Sequence, residues 1–480
     1  MIGYNYPIAA GLLTGGSMNS RINLIHQPKI DKTYLPISIA NRQFLSQVTS
    51  SGNSKNIALA LERSNGLVSV YKTKIFADEQ THRQKNLLYI ERLVKTLLWL
   101  KGGWKLTIGG PLYITDYLKT VYCPGGEREF DYNFVKKLYE KDLVIKGCDF
   151  DDTPEENESS EPAGRNFDGC RIGFDAGGSD RKVSAVIDGR VVFSEEVVWF
   201  PKLKEDPSYQ YDGIMDSLNR AASKMPRVDA IGVSAAGVYI DNRIMAASLF
   251  IKVPEDLFEK KVKNMFLDIR KKFGGVPLMV ANDGDVTALA GAMSLETNNV
   301  LGIAMGTSEA GGYVDGNGNI TGWLNELAFV PVDLNPDAMI DEWSGDRGCG
   351  VKYFSQDGII KLADMSGIEI DDELSPAEKL KVVQALMLQD DARAAAIYED
   401  IGIYLGYSLA YYADFYDMKH VLLMGRVTSG RGGEILVEKA RNVLEDEFPE
   451  LSKSITISLP DENSRRVGQS VAAASLPALE

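Results

Sequence analysis

Residues 172–179 read Ile-Gly-Phe-Asp-Ala-Gly-Gly-Ser, which predicts a short β-strand followed by a tight turn of small residues. A second strand is expected at 183–187, and an Asp188-Gly189 turn then leads into a third strand. The same order of strand, small-residue turn, strand, Asp-Gly turn and strand recurs at 301–320. Two copies of one pattern predict a duplicated α/β lobe.

The two small-residue turns suit phosphate binding. Glycine has no Cβ to keep a polyanion away, and it lets several backbone N–H groups point at one phosphate. Most Gly-Gly turns between strands are structural, so either turn alone favours the structural interpretation. Their repetition favours a pair of phosphate-binding turns, one at 177–179 and one at 306–308.

Two predicted strands between these turns end in small or polar residues. The strand at 276–281 delivers Asn282 and Asp283 just before an apolar helix. A carboxylate at the carboxyl end of a strand in an open α/β sheet lies where ligands bind, so Asp283 is a candidate general base for phosphoryl transfer. The alternative is that Asn282 or Asp283 caps the helix, and the local sequence alone favours the cap.

Composition narrows the class of protein. A chain of 480 residues predicts two or three domains, and 44% hydrophobic with 25% charged residues is ordinary for a globular protein. No run of about 18 apolar residues is present, and residues 1–7 lack the basic start of a secretory signal, so we expect a cytoplasmic protein with no membrane partner. The net charge of −15 argues against nucleic acid as a partner.

Cysteine and histidine chemistry is not expected. The four cysteines are scattered through the chain without a Cys-x-x-Cys pair, which predicts reduced thiols. The three histidines are isolated from one another, which argues against a histidine-rich metal site or a Ser-His-Asp triad.

The chain divides at an acidic segment. Residues 151–164 contain no large apolar side chain, and we interpret 151–166 as a linker that does not pack. Residues 1–150 are predicted to form an α+β N-terminal domain of unknown role, with a hairpin around a two-residue Asn65-Gly66 turn and a core-facing helix near 87–98. Residues 167–300 and 301–480 are the two expected lobes.

Residues from about 170 to 475 resemble the ROK (repressor, open reading frame, kinase) sugar kinases. The resemblance rests on the order and spacing of seven short stretches of this sequence. These are 175–179, 232–237, 280–291, 306–312, 325–333, 421–429 and 467–469. The resemblance implies an α/β fold of two actin-like, RNase-H-like lobes with a central cleft. It also implies transfer of the γ-phosphate of ATP to a hexose or amino sugar, with Mg²⁺.

The resemblance further implies roles for individual residues. Asp283 becomes the catalytic base rather than a cap, and Asn282, Glu326 and Gly237 become sugar ligands. The residues expected to bind nucleotide are Asp175, Gly177, Gly178, Ser179, Gly306, Thr307, Ser308, Gly425 and Arg426, and Asp175 is the candidate for holding Mg²⁺ through water.

Some positions depart from the family pattern. Where the family holds a structural zinc ion, this chain has Phe329, Glu342, Ser344 and Cys349, and one thiol does not hold tetrahedral zinc, so we expect none. Loss of the histidine at position 329 also removes an expected sugar contact. Glu309 and Asp180 are expected to place negative charge near the phosphates, where Mg²⁺, Arg181 or Lys182 would offset it.

The resemblance leaves two alternatives to a kinase function. Transcriptional repressors belong to the same family, but residues 1–150 show no basic recognition helix, which argues against that role. A catalytically silent sugar- or nucleotide-binding regulatory protein is the other alternative. In either case the expected partners are a small-molecule sugar and a nucleotide, with a possible homodimer.

Overall fold

The computed structural model describes residues 23–158, 163–459 and 464–479. The segment 1–7, expected to carry no secretory signal, and residues 159–162 of the predicted linker lie outside these ranges. Within the described ranges, no helix combines the length and the apolar character needed to cross a bilayer.

The N-terminal domain is a mixed sheet covered by helices. Its strands are β1 (Ser54–Glu62), β2 (Val68–Phe76), β3 (Lys105–Gly109) and β4 (Val144–Cys148), and its helices are α1 (Ile37–Ser50), α2 (Gln80–Leu100), α3 (Leu112–Val121) and α4 (Glu129–Tyr139). The sheet order is β2-β1-β3-β4, antiparallel except for the β3–β4 pair. The predicted α+β class of this region is confirmed.

The predicted hairpin is present, but its turn is longer than expected. Strand pairing ends with Glu62 opposite Val68, so five residues rather than two connect the strands. The loop closes through the Arg63 N–H, which donates to the carbonyl of Leu67 at 2.8 Å. Asn65 has a φ of 58°, the left-handed conformation that asparagine tolerates.

The first lobe contains a five-stranded sheet of order β11-β8-β5-β6-β7. Its elements are β5 (Cys170–Ala176), β6 (Asp180–Ile187), β7 (Arg190–Val198), α5 (Ser208–Ala222), β8 (Ala230–Ala235), β9 (Val238–Ile240), β10 (Arg243–Ala246), α6 (Glu255–Leu257), α7 (Met265–Lys272), β11 (Leu278–Asn282) and α8 (Asp283–Ser294). Strands β5, β8 and β11 are parallel, so Ala176, Ala235 and Asn282 end at one edge of the sheet.

The second lobe has a sheet of order β13-β12-β14-β15. Its elements are β12 (Val300–Met305), β13 (Glu309–Val314), α9 (Gln356–Met365), α10 (Pro376–Leu388), α11 (Ala392–Tyr412), β14 (His420–Met424), α12 (Arg431–Glu447), α13 (Pro449–Ser452), β15 (Thr456–Ser458) and α14 (Ser464–Ala474). The third strand predicted in this repeat is reduced to one bridge between Val314 and Ile320. The chain leaves the sheet there because Asn325 bonds to the end of α2.

Helices α8 and α14 lie between the two sheets. Helix α14 packs directly on β5 and β8, and a Cβ at Gly173 would overlap the carbonyl of Ser470. Helix α8 packs in the same way on β13, where Gly284 and Gly312 are in close contact. The predicted architecture of two lobes with separate sheets is confirmed, and these helices join them.

The N-terminal domain shares its hydrophobic core with the second lobe. Helix α2 is buried on all sides from Tyr89 to Leu100, and the Trp99 ring lies 4.2 Å from the Phe329 ring. Helix α2 therefore fills the space between its own sheet and the second lobe.

The N-terminal domain also contacts the first lobe. Leu138 packs against Val238 and Met245. Glu140, at the end of α4, pairs with Arg243 and with Lys263, each at 2.7 Å. The domain therefore bridges both lobes.

The predicted linker packs where the structure describes it. Asn157 pairs with Val68 through two backbone hydrogen bonds of 2.9 Å. The Glu158 carboxylate pairs with Arg63 and accepts from Ser69 and from the Trp323 indole. The expectation that this segment does not pack is wrong for these residues, because polar partners replace the missing apolar contacts.

Candidate active site

Asp283 is the first residue of α8 and follows β11 directly. The helix is capped by its neighbour: the Asn282 side-chain oxygen accepts from the Gly284 N–H at 2.7 Å, and its amide donates to the carbonyl of Gly237 at 2.8 Å. The Asp283 carboxylate accepts from the same Gly284 N–H at a longer 3.0 Å. Since Asn282 already satisfies the helix end, Asp283 is not required as the cap.

A chain of hydrogen bonds connects Asp283 to the first small-residue turn. The Ser234 hydroxyl, at the end of β8, donates to Asp175 at 2.9 Å. The Gln469 amide, from α14, donates to the Ser234 hydroxyl at 3.0 Å and to the backbone carbonyl of Asp283 at 3.4 Å. Four elements therefore meet at this edge of the sheet.

Sequence reasoning did not assign Ser234 or Gln469 to the site. The position of Ser234 at the carboxyl end of a parallel strand was a usable signal. Gln469 stands 235 residues away from Ser234 in the chain, and the resemblance at 467–469 gave it no role in the site.

Four carboxyl groups of this region have raised pKa values. Burial raises the pKa of Asp283, against the opposing effect of nearby Lys202. Burial, with the charge of Asp283 beside it, raises the pKa of Asp175 to about 6. The pKa of Asp285 and that of Glu326 each rise to about 7 for the same two reasons. A base whose pKa moves toward neutrality is better matched to proton transfer near pH 7.

Glu326 and Asp285 differ in how their carboxylates are bonded. Asp285 accepts from the Tyr313 N–H at 3.1 Å and from the Asn325 amide at 2.8 Å, which ties α8 to the second lobe. The Glu326 backbone N–H donates to the carbonyl of Trp99 at 3.0 Å. Its half-buried carboxylate makes no hydrogen bond to any described residue.

The first small-residue turn is exposed, and Trp199 holds it through two hydrogen bonds. Trp199 donates from its indole to the carbonyl of Gly177 at 2.8 Å, and from its backbone N–H to that of Ser179 at 3.1 Å. Arg181 does not offset negative charge here, because it points away and pairs with Asp216 at 2.8 Å.

Lys182, the second residue expected to offset negative charge near the phosphates, lies beside Asp180. It lies 3.4 Å from Asp180 and partly neutralises that carboxylate. Its charge also acts to lower the pKa of Asp175, though burial of Asp175 outweighs it.

The second turn lies beside the Gly425-Arg426 turn at the carboxyl edge of the second sheet. A Cβ on Gly306 would meet only the Ser308 carbonyl, at 3.8 Å, so this turn is open. Gly425, with a φ of 97°, lies so close to Met305 that a side chain there would overlap its backbone. Arg426 is exposed. Thr307 is the central residue of the open turn.

Glu309 does not place negative charge at the second turn, contrary to expectation. Its side chain is 2% exposed, and neither carboxyl oxygen has a hydrogen-bond partner among the described residues. Burial without a cationic partner raises the pKa of Glu309 far above its usual value. Burial therefore disfavours the charged form of Glu309.

A cavity of about 680 Å³ lies where the N-terminal domain meets both lobes. Its walls include Asn282 and Gly237 from the first lobe, Trp323 from the second, and Arg63 and Tyr139 from the N-terminal domain. Asp283 and Glu326 are not among the residues that line it. The cavity thus adjoins two of the three predicted sugar ligands.

Buried ion pairs hold the segment where the family pattern would place zinc. Asp346 pairs with Arg92 at 2.9 Å, Lys95 at 3.1 Å and Arg128 at 2.7 Å, all three from the N-terminal domain. Burial alone would raise the pKa of Asp346, but Arg92 and Lys95 lower it below its usual value. Among the described residues, no group of three His, Cys, Asp or Glu side chains is placed to hold a metal ion.

The ROK family model matches residues 171–470 of the chain. The ROK hexokinase of Thermus thermophilus is 19% identical, with a TM-score of 0.50 over 64% of this chain and 96% of that one. A ROK transcriptional regulator, a homologue of the Escherichia coli MLC protein, is 16% identical, with a TM-score of 0.51 over 65% and 79%.

A third solved structure has a lower score. A ROK glucokinase from Streptomyces griseus, in complex with glucose and AMPPNP, is 19% identical, with a TM-score of 0.46 over 64% of this chain and 98% of that one. No curated protein matches the sequence significantly. The hexokinase and the transcriptional regulator, with TM-scores of 0.50 and 0.51, show the fold alone at these identities.

Proposed function

The chain belongs to the ROK family, and we propose that it is an ATP-dependent sugar kinase that phosphorylates a hydroxyl of a hexose or amino sugar. The observation that carries this proposal is the position of Asp283. It begins a helix at the carboxyl edge of a parallel sheet, beside Asp175 and the first small-residue turn, and its own helix end is capped by Asn282.

In this proposal Asp283 takes the proton of a sugar hydroxyl as that oxygen attacks the γ-phosphate. Phosphoryl transfer asks little covalent chemistry of the protein, so a positioned base and stabilisation of the developing charge are the main requirements. The free carboxylate of Glu326, the amide of Asn282 and the backbone at Gly237 would orient the sugar ring through its hydroxyls.

The turns at 177–179 and 306–308 would hold the phosphates of ATP through backbone N–H groups, and Gly425-Arg426 would border the adenosine. Asp175 fits an indirect role in holding Mg²⁺, because Ser234 occupies one of its oxygens and no described residue occupies the other. When bound, the ion would neutralise phosphate charge.

A catalytically silent regulatory protein is the second candidate, and one observation favours it. Phe329 stands where the family pattern has a sugar-binding histidine, and Trp99 of the N-terminal domain packs on it at 4.2 Å. The position of the expected sugar-binding histidine is therefore apolar and packed against the N-terminal domain.

Turnover separates the two candidates. ADP release from Mg-ATP should be measured with a panel of hexoses and amino sugars, beside calorimetric binding of each sugar and a DNA-shift assay. We expect one sugar class to stimulate ADP release and to yield a sugar phosphate. Saturable sugar binding without any turnover would favour the regulatory protein, and a specific DNA shift would favour a repressor.

A further inference from the structure

Lys202 lies over the first small-residue turn. A Cβ added to Gly178 would be 3.1 Å from the Lys202 Cε and 3.2 Å from its Nζ. The ammonium group also lies close enough to Asp283 to oppose the rise of its pKa. One cation therefore lies against the phosphate turn, and its charge also acts on the candidate base.

Hydrogen bonds to the turn fix the segment that carries Lys202. The residue belongs to a single helical turn, Pro201–Leu203, which is separated from β7 by two residues. Trp199, three residues earlier, donates to the carbonyls of Gly177 and Ser179. Gln210 donates to the carbonyl of Pro201 at 2.9 Å. The placement of Lys202 thus depends on the turn itself.

The charge balance of the site favours a further cation beside Mg²⁺. Asp175, Asp180 and Asp283 stand near the place proposed for three phosphates, and like charges repel. Arg181 is committed to Asp216, and Lys182 lies against Asp180. Among the described residues, no carboxylate lies within ion-pair distance of the Lys202 ammonium.

We propose that Lys202 binds the terminal phosphoryl group of ATP, between the Gly177-Gly178 turn and Asp283. This assignment rests on the proposed kinase function. A lysine ammonium is a compact, mobile cation that serves as a point charge for phosphate. In this position it also offsets the charge that develops on the transferred group.

Calorimetric titration of the full-length wild type and of Lys202→Ala with Mg-ATP, and with AMP as a probe that lacks the terminal phosphates, tests the assignment. We expect ATP to bind Lys202→Ala roughly 10- to 100-fold more weakly, the loss of one charge-assisted contact. AMP affinity should hardly change. Lys202→Arg should recover part of the ATP affinity.

Lys204→Ala is the matched control. Lys204 is two residues away and lies over the Tyr209 ring at 5.2 Å, away from the turn. The Lys204→Ala variant should bind ATP as the wild type does. An equal loss of ATP and AMP affinity in Lys202→Ala would indicate a structural role and overturn the assignment.

The outcomes also separate this assignment from the proposed function. If the wild type binds Mg-ATP and Lys202→Ala binds it equally well, Lys202 is not a phosphate ligand, while the nucleotide site stands. If the wild type does not bind ATP at all, both the site and the assignment fail.

Discussion

Asn282 and Asp283 are adjacent, and Asn282 caps helix α8 while Asp283 is the candidate base. The sequence suggested that either of them could cap α8, and the structure gives the cap to Asn282. Sequence pattern alone could not separate the two, because both residue types accept hydrogen bonds at a helix start. The separation depends on Gly237, 45 residues earlier, which accepts the Asn282 amide and fixes its orientation.

At the residue scale, the raised pKa of Glu326 predicts a pH dependence of stability. Burial lifts this pKa from its ordinary 4.5 to about 7, so the folded state binds the proton more tightly than the unfolded state. The stabilising contribution is present below pH 4.5 and is lost as pH rises through about 7. Urea unfolding of the wild type should show decreasing stability from pH 5 to 8, and Glu326→Gln should show a smaller decrease.

Glu342→Gln is the control for this titration. Lys352 pairs with Glu342 and lowers its pKa, so it stays ionised over the whole range. The stability of Glu342→Gln should depend on pH as that of the wild type does. An identical slope for the wild type and Glu326→Gln would show that Glu326 does not titrate there.

At the element scale, α2 and the segment 342–349 show where prediction from sequence ends. The helical periodicity near 87–98 predicted α2, and Glu342 and Ser344 predicted the loss of zinc ligands. The ion pairs that hold this segment were not predictable, because Arg92 and Lys95 find their partner, Asp346, about 250 residues further along the chain. On a helix surface such charges ordinarily indicate a solvated face.

Asp346→Asn should strongly destabilise the protein, because it removes one partner from three buried cations. Breaking a buried ion pair in this way typically costs about 3–5 kcal/mol. The free energy of unfolding in urea measures the effect. Asp142→Asn, which removes an exposed pair with Lys136, should change it little.

The same preparations test the metal prediction. Elemental analysis should find no stoichiometric zinc in the wild type, and a chelator should not shift its unfolding curve. Bound zinc that is lost on Cys349→Ala would contradict the account of this segment. Wild-type stability in Asp346→Asn would show that the ion pairs do not hold it.

At the scale of the whole molecule, the repeated strand-turn pattern predicted two lobes, and its residues form β5–β7 and β12–β13. It did not predict how the N-terminal domain packs. The shared core joins side chains such as Trp99 and Phe329 that are 230 positions apart, and apolar helices do not specify their partners. The bridge from Glu140 to Arg243 and Lys263 is equally non-local.

Removal of residues 1–150 should therefore prevent folding of the remainder. The truncated chain would expose the face of the second lobe that α2 covers, including Val330 and Phe329, and it would lose the partners of Asp346. Soluble yield, circular dichroism and size-exclusion chromatography measure the outcome. A soluble, folded monomer of residues 151–480 would contradict the shared-core description.

The most direct test of the central claim is the turnover number of Asp283→Asn on a sugar confirmed for the wild type. The substitution keeps size and polarity but removes the proton acceptor, so we expect kcat to fall roughly 100- to 10,000-fold, with sugar and ATP affinities nearly unchanged. Asp180→Asn, a carboxylate beside the same turn that is assigned no part in proton transfer, should keep its turnover. Near-native turnover of Asp283→Asn would contradict the account and leave Asp283 without a role in proton transfer.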